Sequence, residues 1–191
     1  MKILLLSPYR KELIDFLESY EDEVTVTEEK INIDSITLKN IDFIISYGCR
    51  HILKEDLINL FPKKIINIHI SFLPWNRGAD PNLWSFLEDT PKGVSIHYVN
   101  SGIDTGDILV QKEVYFEEDH TLRTSYDKLN SIAIDLLKKH WLDIKRQRIA
   151  PKPQNQNGTF HRIRDRQKYE YLLDKGWDTP VKELIGKALD F

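Results

Sequence analysis

Three short aliphatic segments, separated by helix-like stretches, constrain the fold of this chain more than any other feature. Residues 2–7, 42–47 and 65–70 are almost continuous in aliphatic side chains, which is typical of strands buried on both faces. Helix-like segments lie between them at residues 10–20 and 55–61. This alternation predicts an α/β fold with a mostly parallel sheet flanked by helices.

The second half of the chain predicts an antiparallel strand pair and a long closing helix. Residues 93–99 and 108–116 favour strands joined by a glycine-containing loop. Residues 121–149 carry apolar side chains near a 3.6-residue period, with Thr121 as the expected N-cap. A proline- and amide-rich break follows at 151–158, so we expect one main domain over residues 1–150 and a linker with a short C-terminal appendage over 151–191. The polar stretch 21–40 predicts only a short strand around Val24 and Val26.

Composition excludes several classes of protein. Lys and Arg total 27 against 30 for Asp and Glu, a net charge of -3, which does not suit a nucleic-acid-binding protein. Cys49 is the one cysteine and cannot form an intramolecular disulfide, which favours a reducing compartment. The apolar segments have the length of strands rather than of membrane spans or a secretory signal. We therefore expect a cytoplasmic protein without nucleic-acid or membrane partners.

Asn67 and His69 lie at the carboxyl end of the third predicted strand. Strand alternation directs both side chains to one face, and open α/β sheets bind ligands beyond the carboxyl ends of their strands. An amide that stabilises an oxyanion and an imidazole that moves a proton suit acyl transfer. On these two residues alone, a structural histidine and a turn asparagine are the more ordinary interpretation.

Several further motifs coincide in order and spacing with those of one enzyme family. The motifs are Asn67-Ile68-His69, Ser71-x-Leu73-Pro74, Arg77-Gly78, Gly93-Val94-Ser95-Ile96-His97 and Ile103-Asp104-Thr105-Gly106. Through them the sequence resembles the 10-formyltetrahydrofolate-dependent formyltransferases, over residues 42–111. The resemblance implies a Rossmann-like twisted sheet and an enzyme that transfers a formyl group from 10-formyltetrahydrofolate, its co-substrate, to an amine without a metal.

Within this resemblance, three residues match the reacting centre. Asn67 corresponds to the amide that stabilises the oxyanion, His69 to the histidine that transfers the proton, and Asp104 to the carboxylate that interacts with this histidine. The loop from Gly102 to Gly106 can fold back over the strand end, so the distance in sequence is no obstacle. Taken alone, Asp104 is equally typical of a turn aspartate.

The resemblance also implies where the folate binds. Its pterin is expected between the loop after the second aliphatic segment and the loop that carries Asp104. Ile52 and Leu53 would supply apolar walls, although ordinary core packing at a helix start is an equal alternative. The absence of a Gly-x-Gly-x-x-Gly pattern argues against a dinucleotide. The implied folate-contacting residues are His51, Ile52, Leu53, Asn100, Ser101, Gly102 and Ile103.

The loop after the third aliphatic segment indicates the class of amine. Its run from Asn76 through Asn82 to Trp84 resembles the nucleotide-sugar N-formyltransferases. The implied substrate is an amino-deoxy sugar on a nucleoside diphosphate, and a thymidine diphosphate 4-amino-4,6-dideoxyhexose is the first expectation. Arg77 and Lys92 are the expected cations for the diphosphate. The implied substrate-contacting residues are Asn76, Arg77, Asn82, Trp84, Lys92 and His97.

Ordinary structural roles are open for most of these residues. Asn76, Asn82 and Trp84 also suit loop packing, and Trp84 is more typical of a core residue than of a base-stacking platform. Lys92 after a proline is usually a solvated turn lysine. His97 either points into the cleft of His69 or is a satisfied strand histidine, with equal weight.

Other functions and an unassigned tail are also open. Methionyl-tRNA formyltransferase is the main alternative within the enzyme class, because its loop contains similar residues. That enzyme carries a sizeable tRNA-binding domain, and the negative net charge of this chain does not suit tRNA binding. His69, His97 and Asp104 would also suit a metal-dependent hydrolase, although zinc sites usually show tighter spacing. A non-catalytic nucleotide-sugar-binding module is the third alternative. The appendage, with His161 and three arginines, is expected to mediate dimerisation or cover the site, and the resemblance implies a homodimer.

Overall fold

The computed structural model of the protein describes residues 1–35, 38–154 and 157–189. A six-stranded sheet runs in the order β2-β1-β3-β4-β6-β7, and β5 pairs with β8 in a separate two-stranded ladder. The mostly parallel α/β prediction is confirmed. The strands are β1 (Lys2–Leu6), β2 (Glu23–Thr27), β3 (Phe43–Tyr47), β4 (Ile65–His69), β5 (Arg77–Gly78), β6 (Gly93–Tyr98), β7 (Ile108–Glu113) and β8 (Phe160–His161).

Four α-helices accompany these strands in the described part of the chain, and they are α1 (Lys11–Glu18), α2 (Glu55–Leu60), α3 (Pro81–Leu87) and α4 (Leu122–Lys145). Short 3-10 helices follow at Ile163–Leu172, Gly176–Asp178 and Val181–Glu183. The predicted strand around Val24 and Val26 is present as β2. Three short pieces of the predicted segments lie outside the described residues. They are residues 36–37 of the 21–40 stretch, residues 155–156 of the 151–158 break and residues 190–191 of the appendage.

Helix α4 begins where the sequence predicts and ends four residues earlier than expected, at Lys145 rather than 149. Thr121 caps its start, because the Thr124 amide donates to Thr121 Oγ1 at 3.2 Å. Its end is set by Gln147, whose φ of 52° is left-handed. The Arg148 amide then donates back to the carbonyl of Asp143 at 2.8 Å, which closes the helix. Helical periodicity alone did not reveal this stop.

The chain divides into two compact units. The first comprises residues 1–69, 96–109 and 140–153, and the second comprises 70–95, 110–139 and 154–191. In the first unit, β1, β3 and β4 pair in parallel, and their aliphatic residues are almost fully buried. Burying one such side chain contributes about 1.5–3 kcal/mol, so this sheet is the main source of the unit's stability.

Within the first unit, a buried carboxylate holds the last turns of α4. Asp22 accepts hydrogen bonds from the Met1 amino group at 2.9 Å, from Trp141 Nε1 at 3.1 Å and from Lys145 Nζ. Its side chain is fully buried. Trp141 packs edge-on against Phe43 of β3, with ring centroids 5.6 Å apart.

The second unit has its own apolar core. Residues of α3 pack against Leu122 at the start of α4 and against the 3-10 helices. The carbonyls of Phe86 and Leu87 accept from the Gly186 and Ala188 amides at 3.0 and 2.8 Å. The predicted appendage is therefore part of this core. No helix among the described residues is both long and apolar enough to cross a membrane.

Candidate active site

Asn67 and His69 are placed by strand β4. The strand lies beside β3 in parallel register, with Asn67 opposite Ser46, and its alternate residues Ile66 and Ile68 are buried in the sheet. His69 is the last residue of the strand and is 7% exposed. Both polar side chains reach Asp104, so strand alternation predicted their common direction correctly.

Asp104 reaches these residues because the loop after β6 folds back tightly. Gly106 lies so close to Tyr98 that a Cβ there would be 1.8 Å from the Tyr98 carbonyl oxygen, so only glycine allows this path. Asn100 Oδ1 accepts from the Gly102 amide at 3.1 Å and from Thr105 Oγ1 at 2.8 Å. Asp104 itself has a left-handed φ of 52°, a conformation that costs free energy in a non-glycine residue. The loop thus holds the carboxylate at the strand end.

Three side chains converge on the Asp104 carboxylate. Asn67 Nδ2 donates to Asp104 Oδ1 at 3.0 Å, and His69 Nδ1 lies 3.8 Å from Asp104 Oδ2. The second distance is too long for a hydrogen bond but is within the range of an ion pair. His97 Nε2 lies 3.4 Å from Asp104 Oδ1. Asp104 and these three residues all belong to the first unit.

His97 orients the Asn67 amide. The His97 Nδ1 atom lies 2.8 Å from the carbonyl oxygen of Tyr98. When Nδ1 carries the proton and donates to this carbonyl, Nε2 of the neutral ring is a hydrogen-bond acceptor. Asn67 Nδ2 lies 3.3 Å from that Nε2. His97 is 2% exposed, which favours a role inside the cluster over direct contact with a substrate. Burial raises the pKa of the Tyr98 phenol, so this group stays neutral near pH 7.

The two predicted folate loops differ in what they expose. Leu53 in the first loop and Val99, just before the second loop, pack against the same core cluster. The two loops are therefore anchored on one cluster. Ile52 is 69% exposed and Ile103 is 40% exposed, so neither is needed for the core. His51, Asn100, Ser101 and Gly102 are also exposed. The alternative of ordinary core packing therefore fits Leu53 and does not fit Ile52.

In the second unit, the predicted substrate loop carries Arg77 and two buried asparagines. Arg77 Nε donates to Gln154 Oε1 at 3.1 Å. Asn76 is fully buried and accepts at Oδ1 from Thr90 Oγ1 at 2.9 Å. Asn82 donates to the Leu122 carbonyl at 3.1 Å and is 5% exposed. Both asparagine side chains are used within the fold, so the geometry favours their alternative role in loop packing.

Trp84 and Lys92 also have internal partners. The Trp84 ring stacks on the His161 imidazole with centroids 3.7 Å apart and an interplanar angle of 5°, and it is 4% exposed. A face covered in this way leaves no room for a base, so core packing is the supported role. Lys92 Nζ donates to Asp89 Oδ1 at 3.2 Å and to the Thr90 carbonyl at 3.0 Å. Of the predicted diphosphate-binding cations, Arg77 is the better placed.

Sequence reasoning missed Gln154, Thr159 and Glu88 as partners of this loop. Glu88 Oε1 lies 3.1 Å from His161 Nε2, an ion-pair distance without the geometry of a hydrogen bond. Thr159 Oγ1 accepts from the Asn76 amide at 2.9 Å. Gln154 and Thr159 lie 77 and 83 positions from their partners in this loop, so no periodic signal links them, and the unexpected β5–β8 pairing lies beside both contacts. Among residues 1–35, 38–154 and 157–189, no group of three or more His, Cys, Asp and Glu is arranged to hold a metal ion.

A cluster of amide, imidazole and carboxylate at the carboxyl end of an α/β sheet has the chemistry that proton transfer in an enzyme site requires. The family model for formyl transferase matches residues 13–139, which span most of the sheet and the whole cluster. The chain therefore belongs to the formyl transferase family.

Solved structures that resemble the chain include one that covers nearly all of it and one that covers most of it. The formyltransferase PseJ from Anoxybacillus kamchatkensis, solved in complex with UDP-4,6-dideoxy-4-formamido-L-AltNAc and tetrahydrofolate, is 55% identical, and the match covers 98% of this chain and 100% of PseJ with a TM-score of 0.97. A sugar N-formyltransferase from a Shewanella species is 26% identical, with coverage of 88% and 79% and a TM-score of 0.75. The Rossmann-like formyltransferase fold is thus confirmed.

Curated sequences match over a shorter part of their own length. The methionyl-tRNA formyltransferase of Finegoldia magna is 34% identical in an alignment that covers 67% of this chain and 46% of that protein. The enzyme of the same name from Prochlorococcus marinus subsp. pastoris is 35% identical over 83% of this chain and 51% of its own. The chain spans about half the length of these curated relatives.

Proposed function

We propose that this chain transfers the formyl group of 10-formyltetrahydrofolate to the 4-amino group of a nucleotide-linked 4-amino-4,6-dideoxy sugar. The observation that carries the proposal is the position of Asp104 between Asn67 and His69. The ligands of PseJ support both the folate and the sugar nucleotide. Exposed Ile52 and Ile103 suit the faces of a pterin ring, which needs apolar walls.

The bound folate supplies the formyl carbon, and the chain supplies the polar groups around it. Attack by the amine places negative charge on the formyl oxygen and positive charge on the nitrogen. Asn67 donates an N–H to that oxygen. His69, with Nδ1 directed at Asp104, takes a proton from the attacking amine through Nε2 on the other side of the ring. The Asp104 carboxylate stabilises the imidazolium that results. His69 then delivers this proton to the folate nitrogen as the bond between that nitrogen and the formyl carbon breaks, so that tetrahydrofolate leaves.

The Asn67 amide must exchange one partner to do this. Its Nδ2 lies 3.0 Å from Asp104 and 3.3 Å from His97, and the second contact is the longer and weaker one. The N–H directed at His97 is therefore the one that turns to the formyl oxygen. The bond to Asp104 keeps the amide in place during the exchange.

His97 is expected to contribute to kcat rather than to nucleotide-sugar binding. In His97→Ala the Asn67 amide loses the contact that fixes its direction before the amine attacks, and we expect kcat to fall roughly tenfold, which is about 1.4 kcal/mol in activation free energy. The KM for the nucleotide sugar should stay within about twofold. Steady-state kinetics test this. A raised KM with normal kcat would instead make His97 a substrate-binding residue.

The identity of the nucleotide in PseJ differs from the nucleotide that the sequence favours. The sequence favours thymidine diphosphate, whereas PseJ binds a uridine diphosphate sugar at 55% identity. We therefore propose a UDP-linked substrate first. Formylation is tested by incubating the protein with 10-formyltetrahydrofolate and either the UDP- or the dTDP-linked 4-amino sugar and following product mass. Formylation of methionyl-tRNA alone, with neither sugar modified, would overturn the proposal in favour of the curated relatives' activity.

Arg77 is proposed to bind the diphosphate. Arg77→Ala removes a charge-assisted contact, and we expect nucleotide-sugar binding to weaken by about 1–3 kcal/mol with folate affinity unchanged. Calorimetric titration with each ligand separates these outcomes. Equal loss of both affinities would mean that Arg77 only supports the loop. Arg164→Ala, which removes an exposed arginine of the same unit, is the matched control.

Compartment and assembly complete the proposal. A single cysteine suits the reducing cytoplasm, where we place the reaction. We propose a homodimer, and light scattering coupled to gel filtration measures its mass. Neither nucleic acid nor membrane is needed as a partner for the reaction.

A further inference from the structure

The loop that carries Arg77 is held by a segment from the far end of the chain. We call Gln154 and residues 157–161 the C-terminal strap. The Arg77 amide donates to the Thr159 carbonyl at 3.0 Å, and the Ala79 amide donates to the His161 carbonyl at 2.9 Å. These bonds form the parallel β5–β8 pair. The strap thus fixes the backbone on both sides of Gly78.

Close packing makes this pairing specific. Gly78 has a φ of +88°, and a Cβ there would lie 2.2 Å from the His161 carbonyl oxygen. A Cβ on Gly158 would lie 2.2 Å from the Pro74 carbonyl oxygen. The two glycines let the strap and the loop approach more closely than side chains allow.

The strap is anchored at His161. Its imidazole stacks on Trp84 of α3 and lies at ion-pair distance from Glu88, while its own exposure is 8%. Tyr169 packs edge-on against the same indole, with centroids 5.5 Å apart. Trp84, which the sequence suggested for substrate contact, therefore packs on the strap.

One strap side chain acts directly on the Arg77 guanidinium. Gln154 Oε1 accepts from Arg77 Nε at 3.1 Å. A hydrogen bond at Nε fixes the rotation of the guanidinium plane, and phosphate recognition by arginine depends on the direction of its planar fork. With the backbone fixed by β8 and the side chain by Gln154, Arg77 is set in one orientation.

We propose that Gln154 is a positioning residue, which orients Arg77 for the diphosphate of the nucleotide sugar. The inference rests on the proposed function, because it presupposes that Arg77 binds the diphosphate. It assigns the C-terminal strap to the substrate site rather than to dimerisation alone. It also explains why an uncharged residue far along the chain should affect nucleotide affinity.

A double-mutant cycle with UDP and uridine as probes tests this inference. We expect Gln154→Ala to weaken UDP binding about three- to tenfold, uridine binding to stay unchanged, and the same change in an Arg77→Ala background to have less than about a twofold effect. The KM for the nucleotide sugar should rise without a change in kcat. Gln167→Ala, an exposed glutamine of the same unit, is the matched control. Unfolding temperatures of the unliganded variants should agree with that of the control.

The outcomes separate this inference from the proposed function. Equal weakening in both backgrounds would mean that Gln154 acts without Arg77, and the inference would be overturned. Weakening by Arg77→Ala but not by Gln154→Ala would overturn the inference and leave the proposed function intact. No effect of Arg77→Ala on UDP binding would remove the diphosphate role of Arg77 itself, and the positioning role of Gln154 with it.

Discussion

Replacing His69 by glutamine is expected to lower kcat for formyl transfer by roughly 10²–10⁴, the range that a positioned general acid or base contributes. Glutamine keeps polarity and similar size at a site that is 7% exposed, so the fold should survive. It cannot take up a proton near neutral pH. The affinities for tetrahydrofolate and UDP should stay within about threefold, because His69 is proposed to act on the proton rather than on binding.

Single-turnover kinetics with saturating ligands measure this effect directly. His140→Gln, which changes a half-buried histidine of α4 in the same unit, is the control and should leave kcat unchanged. Turnover by His69→Gln close to that of wild type would show that the histidine is structural. The catalytic assignment of Asn67, His69 and Asp104 would then fail as a set.

The second large effect is expected on stability, at Asp22. Asp22→Asn keeps the shape of the side chain but leaves the Lys145 ammonium and the Met1 amino group without their buried counter-charge. We expect the free energy of unfolding to fall by about 3 kcal/mol or more, as for other buried ion pairs that lose one partner. Urea unfolding at pH 7 measures the difference. Asp15→Asn, which removes an exposed ion pair with Lys11, should change stability very little.

The Asp22 effect should depend on pH in a defined direction. Burial alone would raise the pKa of this carboxyl, but hydrogen bonds from Lys145, the amino terminus and Trp141 outweigh it and hold the pKa below its ordinary value. The stabilisation is therefore complete above the pKa of the unfolded carboxyl, about 3.9, and is lost as the pH falls through the lower pKa of the folded state. The gap between wild type and Asp22→Asn should be constant from about pH 5 to 7 and shrink below about pH 4. A gap that persists at lower pH would contradict the ion-pair explanation.

Part of the cluster followed from local rules. The position of Asn67 and His69 came from a buried aliphatic strand and its alternation, which depend on residues that are neighbours in sequence and were therefore predictable. The place of Asp104 beside them was implied by the resemblance to the formyltransferases, and the loop between two glycines only permitted it. The roles of the three residues stay predictions until the variants are measured.

Features that depend on distant residues were not predictable. Trp84 and Asn82 carry no local sign that His161 and Ser125 will occupy their side chains, since each partner is supplied by a later segment. Ile52 and Leu53 are adjacent and alike in sequence, yet one is exposed and the other packs on the core. The stop of α4 at Lys145 depends on the backbone of Gln147, whose side chain gives no such signal.

The pairing of β5 with β8 has a consequence for the order of folding. The bond between the Asn76 amide and Thr159 spans 83 positions, whereas the β1 and β3 partners Ile3 and Phe43 lie much closer in sequence. Closing a longer loop costs more chain entropy, by about 0.6 kcal/mol per doubling, and contacts distant in sequence form more slowly. We expect the amides of β1 and β3 to gain protection in pulsed hydrogen exchange before those of Arg77 and Ala79. A refolding chain should therefore have a sheet before it has a fixed Arg77, and nucleotide affinity should be among the last properties to return.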